Sequence, residues 1–171
     1  LTFSKAFDSV IHVRLLSKIK SHGIHGSTLK WIKSFLTNRR QRVLINGSLS
    51  SWKPVTSGVP QGTVLGPLLF LLYINDITKD INSEIRLFAD DCILYRQIVN
   101  NTDSVELQED INKLYSWSLT WQMSFNTKKC HILSISRQRL RPVTAYKIGP
   151  DHLTPVDSYP YLGVSISSDL R

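Results

Sequence analysis

Apolar residues recur at helical spacing at Val10, Val13, Leu16 and Ile19, which predicts a helix over residues 8–21, capped by Asp8-Ser9 and stopped by Gly23. The preceding residues, 1–7, read as the end of a strand. Leu29, Ile32 and Phe35 predict a second helix over 27–36. Val43-Leu44-Ile45, then Asn46-Gly47, then residues 51–55 form a hairpin signal, because Asn-Gly suits a tight turn with positive φ. Residues 57–66 hold three glycines and a proline and read as a shaped loop. Pro67 opens an apolar helix that ends near Asn75-Asp76.

Two short β-type runs, 84–88 and 92–95, flank Ala89-Asp90-Asp91. A long amphipathic helix is expected over 103–125, with Val105, Leu107, Ile111, Leu114, Trp117 and Trp121 turned inward. Residues 131–135 read as a strand, 146–156 as a hairpin turning at Gly149-Pro150-Asp151, and 161–166 as a closing strand. No repeat or linker interrupts the pattern, so one α+β domain over 1–171 is expected.

Composition narrows the class. With 171 residues, 42% hydrophobic, and four tryptophans, six tyrosines and six phenylalanines, the chain can bury a real core. This excludes a disordered chain, a collagen-like repeat and a disulfide-stapled miniprotein. Cys92 and Cys130 are too few for a four-ligand zinc site and read as buried thiols in a reducing, intracellular compartment. The longest apolar run, residues 67–74, falls far short of the roughly 20 that a membrane span needs. With no initiator Met or signal peptide, the chain reads as a fragment. A net charge of +8 favours a polyanionic partner, with a solvated basic surface as the bland alternative.

Three places could carry chemistry. Asp90-Asp91 is an adjacent carboxylate pair in a tight turn, and a hard divalent cation such as Mg²⁺ would relieve its repulsion. Asp is also an ordinary turn residue. In Ser57-Gly58-Val59-Pro60-Gln61-Gly62 the glycines allow close backbone approach, with Gln61 as a double hydrogen-bonding group, or they serve turn geometry alone. Ser4-Lys5-Ala6-Phe7-Asp8 suits a plain strand-to-helix junction.

In this order and spacing, these segments, together with Val64-Leu65-Gly66-Pro67, Tyr73-Ile74-Asn75-Asp76 and Phe88-Ala89-Asp90-Asp91, resemble the palm of LINE-type (non-LTR) retrotransposon reverse transcriptases, most closely the jockey-like branch. The resemblance covers essentially the whole chain. It implies a polymerase palm, an antiparallel sheet backed by helices, with fingers and thumb largely absent. Asp90 and Asp91 would hold two Mg²⁺ ions, one activating the primer 3′-hydroxyl and one holding the incoming triphosphate. Phe7 would exclude a ribonucleotide's 2′-hydroxyl. Pro60, Gln61 and Gly62 would pack on the incoming nucleotide and the template. Lys129 would protonate the leaving pyrophosphate, with Lys128 the competing position. Tyr161, Leu162 and Gly163 would grip the primer end. The implied partners are an RNA template, a DNA primer and deoxynucleoside triphosphates, with no membrane, in the nucleus or cytoplasm.

The chain departs from the family pattern at Thr2, where the third metal-binding aspartate stands in the family. Asp8 does not replace it: six residues of extended chain span up to roughly 20 Å, and Asp8 reads as a helix cap. The expectation is therefore an RNA-directed DNA polymerase core that is inactive or impaired. The second reading is a non-catalytic nucleic-acid-binding remnant. Among weaker features, His22 and His25 read as solvated and Trp117 and Trp121 as core. Arg39-Arg40-Gln41-Arg42 either touches phosphates or forms a solvated turn.

Overall fold

Val10 breaks what the apolar spacing presents as one helix. The computed structural model describes residues 1–136 and 144–169. In it a single turn, α1 (Ala6–Ser9), gives way at Val10 (φ −63°, ψ 115°), and α2 (His12–Ser21) begins only after Ile11. The break is satisfied from outside: the Gly58 amide donates to the Val10 carbonyl at 2.8 Å, and Ile11 bridges Ser57 as extended chain. Asp8 therefore lies within α1 and is not the expected cap. Ile11, the extended residue that precedes α2, makes no side-chain cap bond. The later start also rotates the buried stripe, so His12, Leu15, Lys18 and Ile19 point inward while Val13 is exposed.

α3 (Gly26–Leu36) buries Ile32 and Leu36. A thin ribbon follows. β1 (Arg40–Gln41) pairs with β4 (Lys53–Pro54), and β2 (Leu44–Ile45) with β3 (Ser48–Leu49), around Asn46 and Gly47 at φ 49° and 79°. Gln41 faces Lys53 and Leu44 faces Leu49, so the returning strand carries one extra residue, a β-bulge near Ser51. α4 (Leu65–Ile74), apolar on every side, buries Leu69, Phe70, Tyr73 and Ile74. Pro67 sits in its first turn, where a missing N–H costs nothing. Lys18, buried, donates to the Tyr73 carbonyl and the Asp76 carboxylate, with the Trp121 ring centroid 3.6 Å from its Nζ. These elements form one compact unit, Ser4–Thr78 with Leu119–Met123.

The second unit comprises Leu1–Phe3, Lys79–Ser118 and Ser124–Arg171. β5 (Glu84–Phe88) and β6 (Asp91–Tyr95) form an antiparallel hairpin. α5 (Asn101–Trp121) stops four residues before its expected end, where Gln122 takes φ 54°. It buries Ile111 and Leu114, whereas Val105 is exposed. β7 (His131–Leu133) pairs in parallel with β10 (Thr154–Val156), and β8 (Lys147–Ile148) pairs with β9 (Asp151–His152). The stretch read as one closing strand is instead a hairpin. β11 (Ser158–Tyr161) and β12 (Val164–Ser167) meet at Leu162-Gly163, with φ 49° and 81°. The expected α+β class holds, with the described strands paired two by two.

Asp110, on the inward face of α5, is fully buried. It accepts the backbone N–H of Ser83 at 2.7 Å, that of Asn82 at 3.1 Å and the Lys113 ammonium at 2.8 Å. Burial pushes its carboxyl up, but Lys113 and these amides outweigh that and hold it below the ordinary carboxylate value. The folded pKa is depressed, so this stabilisation is complete above the unfolded value and is lost as pH falls through the folded one. Asp110→Ala is expected to cost about 2–3 kcal/mol in urea unfolding at pH 7. It should also remove part of the protein's acid sensitivity, read from the same titration repeated down to pH 3.

Candidate active site

The adjacent carboxylates occupy the tightest connection in the second unit. β5 and β6 pair from Glu84↔Tyr95 to Phe88↔Asp91, so Ala89 and Asp90 alone make the turn. Ala89 takes φ 49°, a left-handed conformation that a Cβ disfavours. Asp90 therefore sits on the turn and Asp91 is the first residue of β6, both half-buried.

Residues 1–3 run beside β6. Leu1 and Cys92 exchange backbone hydrogen bonds of 2.8 and 2.9 Å, and the Phe3 amide donates to the Asp90 carbonyl at 3.3 Å. Thr2 faces Asp91 in the position between these bonds, where side chains of antiparallel strands approach most closely. Its hydroxyl donates to Asp91 Oδ1 at 3.0 Å. On the other edge Phe3 bridges Phe125, the two rings stacked at 4.6 Å, and the Asn126 amide donates to the Thr2 carbonyl at 2.8 Å. Burial pushes the Cys92 thiol up to about 11 and raises that of Cys130. Both are free and buried, as the sequence suggested, and both stay protonated at neutral pH.

Two other expected site segments lie in the same unit. Tyr161 ends β11 immediately before the Leu162-Gly163 turn. Its phenol is raised above the ordinary value by burial and then by the negative charge of Asp91, so the two side chains feel each other. Lys129 lies in a short 3-10 turn, Thr127–Lys129, and is exposed together with Lys128. Its amide donates to the Asn126 carbonyl at 2.8 Å. Thr2 and Asp91 are thus in direct contact, and the chain leading to Lys129 is tied to them through the Asn126 amide on the Thr2 carbonyl. Among the described residues no three His, Cys, Asp or Glu side chains gather into a metal-binding group.

Phe7, Pro60, Gln61 and Gly62 belong to the helical unit. Phe7 stacks on Phe70 at 4.5 Å. The Val59 amide donates to the Phe7 carbonyl at 2.9 Å, and the Ser57 hydroxyl to the Asp8 carbonyl at 2.8 Å. Gln61 reaches Asp8 Oδ1 at 3.5 Å, leaving its amide exposed. The Gly58 carbonyl accepts from His12 Nε2 and from Arg39, each at 2.8 Å. Sequence reasoning missed this clamp. Arg39 looked like one member of a basic run, and His12 carried no sign beyond its place on the buried stripe of α2.

Residues 1–166 match the reverse transcriptase (RNA-dependent DNA polymerase) family, and the chain belongs to it. It is 31% identical, over 99% of its length, to the probable RNA-directed DNA polymerase from transposon X-element of Drosophila melanogaster. It is 33% identical, over 99% of its length, to the RNA-directed DNA polymerase from mobile element jockey of Drosophila funebris. A more distant relative, 23% identical over 98% of the chain, is the retrovirus-related Pol polyprotein from type-1 retrotransposable element R2 of Popillia japonica. The chain spans 19% of the length of each of the first two and 30% of the third. The jockey-like resemblance read from the motifs is borne out.

Gly58 has no room for a side chain. At φ 84°, a Cβ there would lie 2.9 Å from the Asp8 Cα. Gly58→Ala is expected to destabilise the helical unit by about 2 kcal/mol, from left-handed strain plus displacement of Asp8. Urea unfolding followed by tryptophan fluorescence checks it.

Proposed function

We propose that this chain is the palm core of an RNA-templated DNA polymerase whose metal site has lost one of its three carboxylates. The observation that carries the reading is the contact of Thr2 with Asp91. The family resemblance assigns the third ligand to position 2, and the residue there offers Asp91 a hydroxyl at 3.0 Å instead of a second charged oxygen.

The donor set fits one divalent ion better than two. Two half-buried carboxylates would suit a single hard divalent cation such as Mg²⁺. A pair of ions brings four positive charges against the two negative charges of Asp90 and Asp91. When bound, Mg²⁺ would lower the barrier by stabilising charge on the phosphoryl oxygens. The chain's own groups do the rest. Asp90 and Asp91 would hold the cation, and the Thr2 hydroxyl keeps Asp91 oriented. Tyr161, neutral at physiological pH, supports the primer end with Leu162 and Gly163. In the helical unit, Phe7 screens the 2′ position of the sugar, and Pro60, Gln61 and Gly62 meet the nucleotide and template. Lys129 Nζ is the proton source for the leaving pyrophosphate. The substrates are deoxynucleoside triphosphates on an RNA template with a DNA primer.

Thr2 also supports the second reading, a remnant that binds nucleic acid without polymerising. One experiment separates the two: primer extension on an RNA template in Mg²⁺, with this segment set in a full-length polymerase of the jockey type. Metal stabilisation is worth several kcal/mol and each 1.4 kcal/mol is tenfold, so Thr2→Asp is expected to raise the rate about 100-fold or more, and Asp90→Asn to abolish it. Template binding with no incorporation in either protein supports the remnant.

A further inference from the structure

The chain's charge is lopsided. The helical unit's segment Ser4–Thr78 contains ten Lys and Arg residues against two aspartates, which accounts for the whole net charge of +8. Between Ser9 and Asn75 there is no Asp or Glu at all. The most exposed part of this stretch is the β1–β4 ribbon, every strand residue of which faces solvent.

That ribbon also exposes large apolar side chains. Val43, Leu44, Ile45, Leu49 and Trp52 are between 48% and 65% exposed, far more apolar surface than a two-stranded hairpin needs to show. Arg42 and Arg40 both lean on Trp52, their guanidinium carbons 4.5 and 5.8 Å from its ring centroid. The β1–β4 register, continued one step, sets Arg42 opposite Trp52, and Arg40, two residues away, shares its face. Among the described residues neither guanidinium has a carboxylate partner within salt-bridge distance.

We infer that this arginine–tryptophan face of the ribbon is a docking surface for single-stranded RNA, the template before it is paired. An indole backed by guanidinium planes is a stacking platform for an unpaired base, and the same guanidinium groups meet the phosphates on either side. An A-form duplex keeps its base faces stacked internally, so it has nothing to offer the exposed indole and leucines. The bulge near Ser51 increases the twist of the ribbon, which works against edge-to-edge pairing with a second copy. The choice of RNA rests on the polymerase reading above; the binding chemistry does not require the metal site.

The test is fluorescence anisotropy of a labelled, unstructured 12-nucleotide RNA with this chain in EDTA, without nucleotide, beside a blunt RNA duplex of equal length. Single-stranded RNA is expected to bind more tightly than the duplex. Trp52→Ala is expected to weaken binding roughly tenfold or more. The pair Arg40→Ala and Arg42→Ala should lower affinity and reduce the slope of log affinity against log salt by about 1.4. Lys30→Ala with Lys33→Ala removes the same charge from exposed positions on α3 and should matter far less. Far-UV circular dichroism checks that each variant is folded. An equal loss with the lysine pair, no loss with Trp52→Ala, or equal affinity for the duplex overturns the inference, as does sedimentation showing that the ribbon joins two copies. Because no metal is present, these outcomes are independent of whether the chain polymerises.

Discussion

Three residues of extended chain, Leu1–Phe3, organise the second unit. Their backbone is hydrogen-bonded on one edge to β6 and on the other to Asn126, and the Phe3 side chain is buried against Phe125 and Trp117. A strand paired on both edges cannot slip by one residue without turning Phe3 out of the core. The side chain at position 2 is thereby fixed beside Asp91, whatever residue occupies it. That constraint makes the identity of residue 2 decisive for the proposed chemistry: on that reading the scaffold for a third ligand persists, and the ligand does not.

The two units divide the physical work. The unit with the carboxylates balances its charges, with eleven Lys and Arg residues against eleven Asp and Glu, whereas the helical unit carries the cationic surplus. A balanced surround leaves Asp90 and Asp91 as a local concentration of negative charge, suited to a cation. A cationic unit with almost no carboxylates is suited to a polyanion. Inside it, Lys18 is desolvated and held by Asp76, the Tyr73 carbonyl and the Trp121 ring, so it stabilises packing and adds little to the outward field.

Much of this was legible in the residues. The carboxylate hairpin followed from two β-type runs around a three-residue polar break, the β2–β3 turn from Asn46-Gly47, and the apolar α4 from its uninterrupted hydrophobic run. What stayed hidden depended on partners distant in sequence. The break at Val10 exists because Gly58 takes its carbonyl, which no local pattern reveals. Leu162 accepts a left-handed turn that propensity assigns to Gly or Asn, so the β11–β12 hairpin read as one strand. The clamp of His12 and Arg39 on Gly58 joins residues 46 and 19 positions away from it. Thr2 was legible as a departure from the motif, but its hydrogen bond to Asp91 needed the strand pairing to appear.

The most direct test of the central claim counts bound cations. Mn²⁺, a spectroscopic substitute for Mg²⁺, is titrated into the chain and into Thr2→Asp, and free ion is followed by electron paramagnetic resonance. One tight site in the chain as it stands and two in Thr2→Asp is the expected outcome. Identical stoichiometry in the two proteins would contradict the account, because residue 2 would then play no part in holding the metal.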